Sequence, residues 1–323
     1  MNISRREYIK YCLAMMASVS THSIFAASAM KEFNDYKIDR STGNFRYIYS
    51  NQKLRDQFLD FYTNVFHLYP EKELHNLVYQ LTLKLKSDDA IYKELQASLS
   101  EIKPFLADFR YSLPALAKQK KEMTRQTLQL LDRKKRYEGY MEIGTTGRYL
   151  EQLEDMLTIG DERYLLHTVE AGYSPLDIID RGQLTKIAQY VDMGQYSSAF
   201  SKTIKKNSLE LVTVYIGFHH CPLTKREEFI SAVRDVIKPG GTLILRDHDA
   251  RNEDNWRIAA LAHDTFNAGT SASLESNHNE VRNFYSLKYI ITYLGKLGLR
   301  YEGKVLFQKG DPTRNGLMAF TRT

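Results

Sequence analysis

Between residues 50 and 138 apolar side chains recur at three- and four-residue spacing, and glycine and proline are scarce. That pattern predicts amphipathic helices. Leu54, Phe58, Phe61, Tyr62 and Val65 mark one stripe, and Pro70 restarts the pattern with Leu74, Leu77, Val78, Leu81 and Leu85. Ser87-Asp88-Asp89 reads as the cap of a third helix running towards Ile102. Pro104 and Pro114 break the chain, and a long helix from residue 115 to about 136 follows. Its basic end, Arg133-Lys134-Lys135-Arg136, suits a helix C-terminus and needs no anionic ligand.

From Tyr140 the pattern changes to short β-prone runs separated by helical segments, the mark of a parallel sheet with crossover helices. Strands are expected at 140–143, 164–170, 189–193, 210–218 and 242–246. Helices are expected at 149–157, 225–237, 253–267 and 286–297, with Lys238-Pro239-Gly240-Gly241 turning the second of these into its strand. The end departs from this: residues 300–308, a turn from Asp311 to Gly316, then 317–322 form a hairpin, so the last strand runs antiparallel. Residues 30–139 are thus a helical lobe before an α/β unit at 140–323. The lobe is expected to pack on that unit.

The stretch Tyr-Met-Glu-Ile-Gly-Thr-Thr-Gly-Arg-Tyr at 140–149 is the centre of the second unit. A strand turning tightly into a helix aims free N–H groups above the turn, and glycine lets the backbone bend there. Several motifs then recur in order: E-I-G-T-T-G at 142–147, L-V-T-V-Y-I-G-F-H-H at 211–220, V-I-K-P-G-G-T-L-I-L-R-D at 236–247, and the closing hairpin. Over roughly 140–323 the chain resembles class I S-adenosylmethionine-dependent methyltransferases.

The resemblance implies a Rossmann-like doubly wound sheet, mostly parallel with an antiparallel last strand, and S-adenosyl-L-methionine as cofactor. It implies cofactor contacts from Glu142, Gly144, Thr145, Thr146, Gly147, Tyr215 and Gly217. Glu170 is the best match to the acidic residue that grips ribose hydroxyls, with Thr168 taking that position if the strand ends earlier; Asp192 falls near the adenine. Capping a strand or turn is an equally good reading of Glu170 and Asp192. The family's first motif commonly carries three glycines, whereas this chain keeps Gly144 and Gly147 on a loop one residue shorter.

Two polar clusters are expected at the strand ends: Phe218-His219-His220-Cys221-Pro222, and Arg246-Asp247-His248-Asp249, with His263, Asp264 and Asn267 facing them from the next helix. His219 or His220 is the candidate general base, and Asp247 or Asp249 its orienting or acceptor-binding carboxylate. These histidines and aspartates are acceptable metal ligands, but their spacing matches no metal motif. Substrate or cofactor contact therefore ranks first, loop structure second and metal third, and no metal is expected. Cys221 reads as loop filler. Residues 269–279 read as a lid or as a solvated connection.

Composition adds two restrictions. With Cys12 in a leader segment, Cys221 stands alone, which excludes an intrachain disulfide and a cysteine-based zinc site. Residues 1–29 resemble a bacterial twin-arginine export signal: Arg5-Arg6, an apolar middle and Ala27-Ser28-Ala29. Their removal leaves 42 basic and 38 acidic residues, a net charge too mild to argue for nucleic acid. The expected location is the periplasm, or the cytoplasm if the signal is unused. No transmembrane span is expected in the remainder. The first function expected is methyl transfer to a small or peptide-like acceptor. The alternative is a catalytically decayed fold acting as an exported binding protein, and a weaker third is a metal-dependent hydrolase using the histidine–aspartate loops.

Overall fold

The computed structural model describes residues 36–39, 41–102, 113–131, 134–174, 178, 181 and 184–323. The expected leader, the break at Pro104 and Arg133 lie outside the described residues. The helical lobe holds α1 (Asn44–Ser50), α2 (Gln52–Phe61), α3 (Glu71–Lys84), α4 (Asp88–Ile102) and α5 (Leu113–Leu130). Asn51 caps α2 by accepting from the Leu54 amide, and Ser87 caps α4 through the Ala90 amide. Asp88 serves a neighbour instead. Its carboxylate accepts from the Phe45 and Arg46 amides of α1, whose own N-cap is Gly43.

The seven-stranded sheet comprises β1 (Tyr140–Ile143), β2 (Arg163–His167), β3 (Gln189–Asp192), β4 (Leu209–Val214), β5 (Ile237–His248), β6 (Leu299–Phe307) and β7 (Asn315–Arg322). Their order is β3-β2-β1-β4-β5-β7-β6, with β1 to β5 parallel and β7 antiparallel to both neighbours. This is the expected doubly wound sheet with a reversed last strand. Crossover and flanking helices are α6 (Leu150–Glu154), α7 (Leu223–Val236), α8 (Glu253–Gly269), α9 (Leu274–Asn279) and α10 (Leu287–Lys296). One face of the sheet packs Val212, Leu243 and Phe320 against Phe229, Ala259 and Ile290. The other packs Leu211 and Ile244 against Met123, Leu150 and Leu153.

Four boundaries differ from expectation. Lys238-Pro239-Gly240-Gly241 is no turn between helix and strand but an irregular stretch inside β5: Leu209 pairs with Ile237, and the next paired position, Leu211, meets Thr242. A Cβ on Gly241 would sit 2.7 Å from Ile237 Cγ2 and 2.9 Å from the Lys238 oxygen, so the tight bulge requires glycine. β5 also runs on through Asp247 and His248, residues expected in a loop. The helix after Tyr149 is a short one, and α5 stops at Leu130, before a two-residue bridge at Arg136–Tyr137. Among the described residues no helix is long and apolar enough to cross a membrane.

Candidate functional site

The turn after β1 is satisfied from within. Glu142 is fully buried, and its carboxylate accepts from the Tyr140 hydroxyl at 3.1 Å, the Tyr149 amide at 3.3 Å and the Thr145 hydroxyl. Burial pushes its pKa above the usual carboxylate value, against the pull of those donors. Thr145 Oγ1 in turn accepts from the Gly147 and Arg148 amides. The Thr145 hydroxyl and the Gly147 and Arg148 amides are therefore occupied by the chain. Gly144 is left-handed, and a Cβ there would lie 2.4 Å from the Ile216 carbonyl oxygen. Its glycine admits the loop after β4.

That loop carries Tyr215, buried, with its ring 4.6 Å from Tyr149 and its hydroxyl 2.8 Å from Thr127 Oγ1 on α5. Gly217 is left-handed, and its carbonyl accepts from the Tyr196 hydroxyl. Thr146 is buried, and Gly147 is left-handed. Glu170 and Asp192 are exposed at the same edge of the sheet. Lys186 reaches Glu170 at 2.9 Å, and one oxygen of Asp192 accepts from the Gly194 amide. A cavity of about 20 Å³ beneath the edge is lined by Ile143, Val214, Phe218, Phe229 and Leu245. It has room for about one water and an almost wholly apolar lining, and Gly144 and Gly217 also border it.

At the ends of β4 and β5 the residues predicted as chemical do meet. His219 Nδ1 donates to Asp247 Oδ1 at 2.7 Å, and the same oxygen accepts from the His248 amide. His220 Nδ1 donates to the Val281 carbonyl at 2.8 Å, and His248 Nδ1 to the Thr313 carbonyl at 2.9 Å. His263, from α8, directs Nδ1 at Glu280 Oε1 at 3.3 Å. Ring centres of His219 lie 4.3 Å from His220, 5.1 Å from His248 and 5.0 Å from His263. Phe284, fully buried, packs 5.1 Å from His219, His248 and His263. Burial drives the pKa values of His219 and His248 well below the ordinary histidine value, and His220 down as well. Asp247 is pushed up to about 6 by burial. At neutral pH His219, His220 and His248 are uncharged and Asp247 remains mostly ionised.

Asp249 does not join this group: its carboxylate accepts from the Leu287 amide at the start of α10 and pairs with Arg251 and Arg314. Cys221 is buried, and burial pushes its thiol up to about 12, as befits packing rather than nucleophilic use. Residues 269–279 are pinned rather than lid-like. The Ala272 carbonyl accepts from Tyr92 and Gln96, and Asn277 bonds to Asp264 and Asn267.

Sequence reasoning missed Glu280 and Arg282. Arg282 donates to Glu280 Oε2 at 2.6 Å, Asp264 Oδ1 at 2.7 Å and Asn277 Oδ1 at 2.6 Å. Burial alone would raise the Glu280 pKa, but Arg282 and the histidines hold it well below the usual carboxylate range. The alternating charges of Asn-Glu-Val-Arg-Asn-Phe at 279–284, outside any helical pattern, were the available signal.

No known protein family matches the chain, and no curated protein matches it in sequence. Among solved structures it is similar to the CurJ carbon methyltransferase, at 13% identity and a TM-score of 0.46 over 84% of this chain and 70% of that one. It is also similar to the Burkholderia thailandensis 1,6-didemethyltoxoflavin-N1-methyltransferase, solved with S-adenosylhomocysteine, at 8% identity and a TM-score of 0.43 over 74% and 92%. A third is an S-adenosylmethionine-dependent methyltransferase from Aquifex aeolicus, at 16% identity and a TM-score of 0.40 over 74% and 100%.

Proposed function

We propose that the chain transfers a methyl group from S-adenosyl-L-methionine to a small or peptide-like acceptor beside the histidine cluster. One observation carries the reading. The sheet order with its reversed seventh strand brings the glycine turn, the Glu170 and Asp192 carboxylates and the histidine loops to one edge. Open α/β sheets bind ligands outside that edge. When bound, the cofactor supplies an electrophilic methyl group on sulfonium. Glu170 and Asp192 fit as exposed acceptors for ribose hydroxyl and adenine amine donors. Glu142 fits as the brace of the turn, since its oxygens already hold Tyr140, Thr145 and Tyr149. On the acceptor side, His219 is neutral, oriented by Asp247, and keeps a bare Nε2 able to take a proton from an oxygen or nitrogen nucleophile.

Isothermal titration of the folded chain with S-adenosylmethionine and S-adenosylhomocysteine tests this. Saturable binding is expected, weakened about tenfold or more in Asp192→Ala, because a hydrogen bond to a charged group contributes about 1.5–3 kcal/mol. Absence of binding to folded protein removes the proposal. A second reading, an exported binding protein on a decayed fold, is favoured by the turn's internal bonds. It requires the biological role to survive in a Glu170→Ala/Asp192→Ala double variant that has lost cofactor binding.

A further inference from the structure

We propose that His219, His220 and His263 together bind one divalent transition-metal ion of the zinc type. One side-chain ligand atom from each lies within 4.8 Å of the other two. The hydrogen bonds fix the tautomers. A carbonyl oxygen only accepts, so His220 Nδ1 carries its proton towards Val281; Asp247 Oδ1, which also accepts from the His248 amide, likewise receives the His219 Nδ1 proton. Both rings are thereby left with an unprotonated Nε2. On His219 that atom is buried and has no hydrogen-bond partner among the described residues, although the imidazole is more than nine-tenths buried. A bare lone pair shut away from water is costly unless something binds it.

The surroundings have the form that metal sites use. Ligating imidazoles commonly donate their other N–H to a carboxylate or backbone carbonyl, which fixes the ring and raises its basicity. Here Asp247 and the Val281 carbonyl do so, and Glu280 stands 3.3 Å from His263 Nδ1 and 3.8 Å from His220 Nε2. Glu280 is held by Arg282 at 2.6 Å, so a carboxylate stands beside the three imidazoles. Phe284 and Trp256 form an apolar wall, with ring centres 6.0 Å apart. Imidazole donors favour Zn²⁺, Cu²⁺, Ni²⁺ and Fe²⁺ over Mg²⁺ or Ca²⁺, and three protein nitrogens leave a position open for a small ligand.

The inference stands on the imidazole geometry and not on the methyl donor. If both hold, the open position is the acceptor's, and His219 is a ligand rather than a base.

Zn²⁺ titrated calorimetrically into the chelator-treated full-length chain is expected to bind one ion per chain. Co²⁺ is expected to give the visible absorption of a low-coordinate site. His219→Ala and His263→Gln should each weaken Zn²⁺ binding by about a hundredfold or more, while His278→Ala, an exposed imidazole paired with Asp89, leaves it unchanged. Where His219→Ala fails to fold, the half-buried His263→Gln carries the comparison, checked by circular dichroism. The absence of stoichiometric Zn²⁺ uptake overturns the proposal. So does equal affinity in folded His263→Gln, or an X-ray absorption spectrum of the Zn²⁺-loaded chain without imidazole scattering. Cofactor titration is read separately, so failure of the methyl-transfer reading leaves these outcomes unaffected.

Discussion

Arg282 shows what a single residue does at this site. Its guanidinium joins Asp264 from α8, Asn277 from α9 and Glu280 from the segment that follows, and the other donors to those carboxylates are the uncharged amides of Asn44, Asn277 and Asn267 and the His263 ring. Arg282→Met removes the cation and strands two buried carboxylates. A loss of about 3–5 kcal/mol is expected, read as a lower urea midpoint. The smaller change Arg282→Lys should recover part of it, since an ammonium cannot make the same forked contacts. None of this was legible locally, because Asp264 and Arg282 are 18 positions apart and their meeting depends on how α8 and α9 pack. The meeting of the histidines was expected from the strand-end loops and the next helix, but His219 and His220 follow β4 while His263 lies on α8, so their spacing carries no metal pattern. Glu142 shows the converse. Its place before the glycine turn was visible, but that Tyr140, Thr145 and Tyr149 use up its oxygens follows only from the closed turn.

Elements were far easier to read than sites, because burial imposes periodicity on the chain itself. The stripe Leu74, Val78 and Leu81 became the buried face of α3, and the turn at Asp311-Pro312 became the β6–β7 hairpin. Lys238-Pro239-Gly240-Gly241 was misread because proline and glycine mark a bulge as readily as a turn, and only pairing to Leu209 distinguishes them. Glu210, beside that irregularity, ties the element down. Its carboxylate accepts from Lys134 Nζ at 2.7 Å, the Glu138 amide at 2.9 Å and Lys238 Nζ at 3.2 Å. Burial opposes ionisation, but these donors win and hold the pKa at about 2. The folded value lies below the unfolded one, so the stabilisation is fully present above the unfolded carboxylate range and is lost as pH falls towards 2. Glu210→Gln is therefore expected to cost about 1 kcal/mol at pH 7, limited by solvent exposure and salt, and to cost less at pH 3. Urea titrations of both proteins at the two pH values check the sign; an equal or larger loss at pH 3 refutes it.

At the scale of the molecule, α8 makes the helical lobe and the sheet one structure. Ile258, Leu261, Ala262 and Ala268 belong to the lobe's core with Phe58, Tyr62 and Tyr92, whereas Trp256, Ala259 and Ala260 belong to the core on the sheet. A helix buried on both sides cannot leave one core without opening the other. The Tyr36 hydroxyl, donating to the Ala250 carbonyl, ties the start of the described chain to the segment just before α8. The change of pattern at residue 140 was visible in the sequence, and packing of the lobe on the sheet was expected. The shared helix was not visible, because the apolar positions of α8 do not themselves say which neighbours they meet. The physical consequence is coupled unfolding. Leu261→Ala opens a cavity in the lobe core and should cost about 2–5 kcal/mol. Trp256 is the chain's single tryptophan and reports the sheet core, while far-UV circular dichroism reports the helices. In wild type the two probes should give one coincident urea transition, and in Leu261→Ala both should move to lower urea together. A dichroism transition that shifts while Trp256 fluorescence stays in place would mean the lobe melts by itself, and α8 would not be the shared element argued here.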